Sequence, residues 1–383
     1  MALYSATVHA LAVGQGMGYV LEVTEGWETV FLGLFDFGSI NTAKDAQAIE
    51  QSARYLASLI RGNKNRLNSL VISHQDEDHH NLLSLIDNED IIIDHYFYGG
   101  ASGAPPYTFT QANVKKGPYG LCNWTIPLPF VGYPDKGIRI VELFNIICLS
   151  VEKYNQYYDE KLAVPDLINQ SSSVVLAKVL VRREKGKKDI YAYFLFPGDA
   201  TVETIYYIVD ELRWFPFLNY DKCHFLSVPH HGASATLLGH FTETAPASQR
   251  DFEVFEAFLR DLHPFSAHVS AGYDNQFGHP RSEIKDLVIK HLNRTSGLLR
   301  RTHSIYYQKG SSFQTSEIDA PFYTSVSRNE HQDVCYFNQT YHVDFTGRIT
   351  ISSEQACIME PALQQGKIAA RREIPREWKD RQL

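Results

Sequence analysis

What this chain has little of narrows its class before any motif is read. Its 5 cysteines are scattered, odd in number and without CxxC spacing, so a complete disulfide framework is not expected. They read as buried thiols in a reducing compartment. No apolar run approaches the length that spans a bilayer. No basic stretch precedes the first apolar segment, so a secretory signal is not expected either, and the reading is a cytoplasmic protein with no membrane partner. Positive charge is also scarce. With 36 Lys and Arg against 44 Asp and Glu, the formal net charge of −8 provides no overall cationic field for nucleic acid or anionic lipid. A polyanionic substrate must then be met by a local patch or by metal ions. Internal repeats and low-complexity tracts are absent. What is plentiful is core material: 44% of the 383 residues are hydrophobic and 13% aromatic, enough for one large domain or two ordinary ones.

The densest chemistry lies at 73–81, S-H-Q-D-E-D-H-H-N, directly after the apolar run 70–72. That order reads as a short buried strand, a loop, and a helix beginning near His80, so the polar side chains leave the strand at its carboxyl end. His74 and Asp76 are spaced to face one metal ion, and Asp78 and His79 a second one close by. A solvated acidic loop is the alternative for this stretch taken alone.

Taken in order, 4–13 and 18–23 form a hairpin about Gly14-Gln15-Gly16, and a strand over 28–35 ends in Asp36-Phe37-Gly38-Ser39. These glycines serve either close backbone approach to a ligand or plain turn chemistry. A helix is expected over 41–60 with Asn41 or Thr42 as N-cap, then strand 67–72, helix 80–86 and strand 91–98. The Gly, Pro and aromatic-rich segment 99–137 reads as an insertion or lid. Strands follow at 138–150, 174–181 and 189–196, the last two joined by the basic turn 182–188. That turn is either a solvated hairpin tip or a polyanion contact. Strand ends then deliver Asp199, the pair His230-His231, and a loop carrying Asn275 and His279. Two adjacent histidines backed by Gly232 suit coordination or proton transfer better than a core. Near the C-terminus, 337–352 reads as a hairpin turning at Thr346-Gly347, followed by a polar tail that is a frayed helix or a partner-binding end.

In order, V-G-Q-G (13–16), D-x-G-S (36–39), S-H-x-D-x-D-H (73–79), N-x-x-S (169–172), P-G-D-A (197–200), V-P-H-H-G (228–232) and N-x-x-G-H-P (275–280) resemble the metallo-β-lactamase fold. More closely, they resemble the soluble hydrolase domain of ComEC-type DNA-uptake proteins and its stand-alone relatives, over about residues 5–295. The resemblance implies an α+β fold, a metallo-β-lactamase-like four-layer αββα sandwich with a small C-terminal β-containing extension. It divides the chain into a hydrolase domain over 1–305 and an extension over 306–383.

The resemblance also implies two divalent metal ions. His74, Asp76, Asp78, His79, Asp199 and His230 would hold them, with Asp199 bridging. Asp78, His231, Asn275 and His279 would serve catalysis, His231 by donating a proton to the leaving group or holding the phosphate. H-x-D in place of H-x-H hardens the site toward Mn²⁺ or Mg²⁺, with Zn²⁺ as the alternative. The family's third-motif histidine has no counterpart here, since no His lies between His95 and Cys223, and Asn169 falls in that region. His80 stands where glycine is common and is an additional candidate ligand. The implied activity is phosphodiester hydrolysis through a metal-activated water, with DNA as substrate and the basic turn, Arg61, Lys64, Arg66 and the tail as phosphate contacts. The alternatives are hydrolysis of a small phosphodiester or nucleotide, and a metal-binding subunit of a multi-protein effector, a defence role included, docked through the C-terminal extension.

Overall fold

The structure is a computed structural model that describes residues 2–40, 45–100, 104–123, 129–147, 168–210, 223–239, 249–293, 302–329, 331 and 333–358. Alternation of β-branched and aromatic residues builds two large mixed sheets, and three apolar layers hold them in place. Tyr19, Phe35, Val71 and Phe97 from one sheet meet Val141, Val179, Phe194 and Phe225 from the other in the central layer. On one outer face, Ile49, Ala53, Leu56 and Ile60 of the helix Ala46–Gly62 cover the nine-stranded sheet. On the other, the helices Val202–Asp210, Gln249–Leu262 and Ser282–His291 cover the eight-stranded sheet through Ile205, Phe255, Leu259 and Val288. Helix, sheet, sheet, helix is the metallo-β-lactamase-like αββα sandwich.

The position of the site follows from strand direction. In the nine-stranded sheet Glu28–Phe37, Ser69–Ile72 and Tyr96–Tyr98 run parallel. In the eight-stranded sheet Ile190–Phe196, Phe225–Ser227, Ala267–Val269 and Phe322–Thr324 do the same. Parallel strands present their carboxyl ends to one edge, where the following loops gather. The C-terminal hairpin Val334–Val343 and Ile349–Ile358 pairs with Ser5–Ala10, so it extends the nine-stranded sheet.

Some elements differ from expectation. The first helix begins at Ala46 behind Asp45, while its expected caps, Asn41 and Thr42, lie outside the described residues. The helix expected from His80 starts earlier, as Glu77–His80, and passes into a 3₁₀ turn over Asn81–Leu85. Acidic Glu77 and Asp78 suit a helix N-terminus. The strand expected over 91–98 is two strands. Ile92–Ile93 pairs with Arg66–Leu67 and Tyr96–Tyr98 with Ser69–Ile72. Between them Asp94 accepts from the Arg66 guanidinium at 3.1 Å. Cys122 is disulfide-bonded, against the expectation of free thiols, whereas Cys223 and Cys335 are buried and free. In the segment 99–137, Asp87 ties down part of the chain by accepting from the amides of Thr110, Gln111 and Ala112 at 2.8–2.9 Å.

Among the described residues, the basic ones nominated for phosphate contact stand elsewhere, and the nominated tail lies outside the described residues. The turn at 184–188 precedes Ile190–Phe196, whose far end carries Asp199, so it lies at the opposite edge. Arg66 precedes Ser69–Ile72 in the same way. Several of these cations are also paired, Lys64 with Glu28, Arg66 with Asp94, Arg183 with Asp189 and Lys187 with Glu184.

Candidate metal centre

Ser73–His79 leaves the strand Ser69–Ile72 at the loop-bearing edge, and two short glycine-containing turns hold it there. A Cβ on Gly38 would lie 2.4 Å from the carbonyl carbon of Asp78 and 2.5 Å from the amide nitrogens of His79 and His80. Only glycine admits that approach. The Met17 amide donates to the Asp78 carbonyl at 3.0 Å. Both turns therefore brace the His/Asp loop.

Asp36 sits at the end of its strand with φ of 56°, a conformation that Asp tolerates better than most residues. Its carboxylate accepts from the Ser73 amide at 2.7 Å, the Ser73 hydroxyl at 2.8 Å and His79 Nδ1 at 2.9 Å. The Ser73 hydroxyl proton is thus spent on Asp36, so its oxygen accepts from His74 Nδ1 at 2.9 Å. His231 Nδ1 donates to the Ser270 carbonyl at 2.6 Å. All three imidazoles donate from Nδ1 and turn Nε2 toward a common point, the arrangement that orients metal-ligating histidines.

Asp199 lies at that point. His79 Nε2 is 3.2 Å and His231 Nε2 3.7 Å from its Oδ1. His230 Nε2 is 3.6 Å and His74 Nε2 3.9 Å from its Oδ2. Asp78 Oδ2 is 3.3 Å from His231 Nε2. Two sets of donors each converge within 4.8 Å, His74, His79 and Asp199 in one, Asp78, His79 and His231 in the other. The Nε2 atoms of His74, His79 and His231 and Oδ1 of Asp199 are buried without a hydrogen-bond partner. Burial of polar atoms in that state costs stability, and a cation shared among them removes the cost. The residues fit a divalent metal site.

Electrostatics point the same way. Burial disfavours the Asp199 carboxylate, yet the imidazoles of His230, His79 and His231 hold its carboxyl well below the usual range. Burial likewise disfavours a charged His79, yet Asp199 and Asp36 raise its pKa well above the ordinary value. The pocket demands positive charge, which protons and metal ions compete to supply.

The remaining expected residues are placed as follows. Asp76 is 3.5 Å from His74 Nε2, with its side chain 42% exposed, and joins neither converging set. His80 turns aside, its Nε2 donating to the Gln75 carbonyl at 3.0 Å. Asn169 Oδ1 is buried without a hydrogen-bond partner. The Ser172 hydroxyl accepts from the Asp199 amide at 3.0 Å. His230 and His231 both have positive φ, 45° and 52°. Consecutive left-handed histidines are strained, and the strain aims both rings into the pocket. Asn275 is a staple: its amide donates to the carbonyls of Gly272 at 2.9 Å and His279 at 2.7 Å, and its oxygen accepts from the His279 amide at 3.0 Å. That holds the His279 ring 6.2 Å from the ring of His230. Burial, with the imidazoles of His230 and His231 close by, holds His279 well below the usual imidazole value. The sequence motifs contain Asp36, Ser73 and Ser172 without assigning any of them a role, and no motif includes Ser270. The signal for Asp36 was a carboxylate at a strand end beside glycine.

No helix of the described residues is long and apolar enough to cross a membrane. No family model and no curated protein matches the chain. Among solved structures it is similar to a long form RNase Z from yeast, at 11% identity and a TM-score of 0.35, over 72% of this chain and 38% of that one.

Proposed function

We propose that the protein is a divalent-metal-dependent phosphodiester hydrolase acting on nucleic acid, DNA in the first instance. The observation that carries this is the convergence of Asp78, Asp199 and three histidines whose buried Nε2 atoms have no hydrogen-bond partner. Bound divalent cations would supply an activated water and neutralise charge developing on the phosphate. His74, His79, His231, Asp78 and Asp199 would hold them. His231 would serve as a ligand, because its Nδ1 is engaged with the Ser270 carbonyl and its Nε2 faces the carboxylates. His230 and His279 have buried Nδ1 atoms without hydrogen-bond partners and are the groups assigned to the phosphate and the leaving-group oxygen. The resemblance of the seven motifs to a DNA-uptake hydrolase supports the choice of DNA.

The small-phosphodiester reading is favoured by one observation, the location of the basic turn and of Arg66 at the far edge, where they cannot contact a strand bound at the metals. Purified protein with Mn²⁺, Mg²⁺ or Zn²⁺ is assayed on single- and double-stranded DNA, RNA and a dinucleotide, beside Asp78→Ala. Cutting of polymer by the wild type alone supports the first reading. Cutting of the dinucleotide alone moves the substrate to the second, and failure on every phosphodiester by metal-loaded protein refutes both.

A further inference from the structure

The loop that follows the strand Ala267–Val269 is held rigidly and yet presents an aromatic ring to solvent. Asn275 staples it internally, the Tyr273 amide donates to the Tyr336 hydroxyl at 2.8 Å, and the Asp274 amide donates to the Tyr306 hydroxyl at 3.1 Å. Gly278, with φ of 71°, completes the turn. From this loop Phe277 projects with 43% of its surface exposed. Its ring lies nearly parallel to that of His279, 17° between planes and 6.0 Å between centroids.

Among the described residues, the other exposed large apolar ones lie elsewhere or have other uses. Trp27 and Phe345 are in the turns of hairpins at the far edge, and Tyr119 packs toward Phe97 at 5.7 Å. Ile40 shares the metal-bearing edge but has no π face. Phe277 is connected to the metal pocket by a short chain of contacts: Phe277 to His279, His279 to His230 at 6.2 Å, and His230 Nε2 to Asp199 Oδ2 at 3.6 Å. A planar group lying on the outer face of Phe277 would belong to the same nucleotide as a phosphate at His230 and Asp199, or to its neighbour.

Resting on the phosphodiesterase reading, we infer that Phe277 is a base-stacking residue that positions the nucleotide next to the scissile phosphate, with His279 supporting the ring from behind. Stacking on an aromatic ring suits this site, because it tolerates any base and needs no basic track along the backbone. It selects an unstacked nucleotide, as in a single strand or a free dinucleotide, over one paired in a duplex. The loop is ordered by its own hydrogen bonds, so the platform requires little rearrangement on binding.

The test is a cycle on a single-stranded oligonucleotide, DNA or RNA, whichever the wild type cuts. The same oligonucleotide is also made with one abasic residue on either side of a defined scissile phosphate. Phe277→Ala and Phe277→Trp are assayed in metal-loaded form, with thermal midpoints checked against wild type. Phe277→Ala is expected to lower kcat/KM about 10-fold on the intact oligonucleotide, within the range of one lost base stack. On one of the two abasic substrates the wild type should show the same loss and Phe277→Ala no further one, while Phe277→Trp keeps wild-type rates. Equal losses by Phe277→Ala on intact and abasic substrates would overturn the stacking role while leaving phosphodiesterase activity in place. Failure of metal-loaded wild type on every nucleic acid and dinucleotide would instead remove the reading on which it rests.

Discussion

His231 donates its Nδ1 proton to the Ser270 carbonyl at 2.6 Å and thereby holds its Nε2 3.3 Å from Asp78 Oδ2, so a main-chain carbonyl from one strand end fixes the ligand face of a ring from another. Asp36 does the same for His79 directly and for His74 through Ser73. Five strand ends thus share one task, and each contributes either a donor atom or the group that orients one.

Metal binding should stabilise the fold. Because a ligand that binds only the folded state adds about 2.7 kcal/mol at a 100-fold excess over Kd, Mn²⁺ or Zn²⁺ should raise the thermal midpoint and a chelator should lower it. In Asp199→Ala the metal-induced rise should vanish, since Asp199 completes one converging set and faces His79 and His231 of the other. Calorimetric scans with and without metal check this, and an undiminished rise in the variant counts against Asp199 as a ligand.

Asp36→Asn removes charge while keeping a residue that tolerates φ of 56°. Its amide can satisfy only some of the three donors now aimed at the carboxylate. Metal affinity is expected to fall roughly 10–100-fold with the fold retained, as for other partners that orient metal-ligating histidines. Titration calorimetry measures it. Unchanged affinity would mean that the histidines hold their orientation unaided.

Gly38→Ala and Gly62→Ala should have opposite effects. A methyl at 38 meets the backbone of Asp78, His79 and His80 at 2.4–2.5 Å, so the loop must shift and metal stoichiometry should drop. At Gly62, in the last turn of its helix, a methyl meets nothing within 4 Å and φ is not positive. Alanine there should stabilise the protein by about 0.4–1 kcal/mol, through a less flexible unfolded chain. Chemical denaturation and metal analysis of the two variants distinguish them.

Strand ends and candidate donor side chains were readable from the sequence because each occupies a few contiguous residues: S-H-Q-D-E-D-H-H after 70–72, P-G-D-A after 190–196, P-H-H-G after 225–227. Long-range partnerships were not. That the Ser270 carbonyl orients His231, or that Val334–Val343 pairs with Ser5–Ala10 across the whole chain, depends on tertiary packing and leaves no local pattern. Direction also escaped local reading, since the spacing offers His80 and Asp76 as readily as His79, and only the fold turns His80 to the Gln75 carbonyl. The basic turn 182–188 had the right sign for a polyanion, but its sign says nothing about which edge it occupies.

Lys185, Lys187 and Lys188 provide the test of that last point. If the turn at 184–188 lies at the edge away from Asp199, changing all three to Ser should leave kcat/KM and its dependence on salt at wild-type values. A loss of phosphate contacts would appear otherwise, as weaker binding and a salt slope reduced by nearly one for each contact removed. An activity assay over a range of KCl concentrations decides between them. A shallower slope in the triple variant would show that substrate wraps from the metal edge to the far edge, and would require a long polymer.

The carboxylate of Asp87 offers a prediction about pH. It is partly buried, a state that favours the neutral acid, but the amides of Ala112, Thr110 and Gln111 outweigh that effect and hold its carboxyl below the usual value. A group whose pKa is lower in the folded state than in the unfolded one contributes stability above its unfolded pKa, about 3.9 for Asp. That contribution is lost as pH falls through the folded value. Asp87→Ala leaves the three amides and the Thr110 hydroxyl without this acceptor and should cost about 1–3 kcal/mol at neutral pH. Below pH of about 3.9 the gap between wild type and variant should narrow, because the wild type is then losing the same charge-assisted bonds. Urea unfolding of both proteins at a series of pH values measures the gap directly, and a gap that stays constant through the acid range would show that the hydroxyl and amide contacts of a neutral carboxyl suffice.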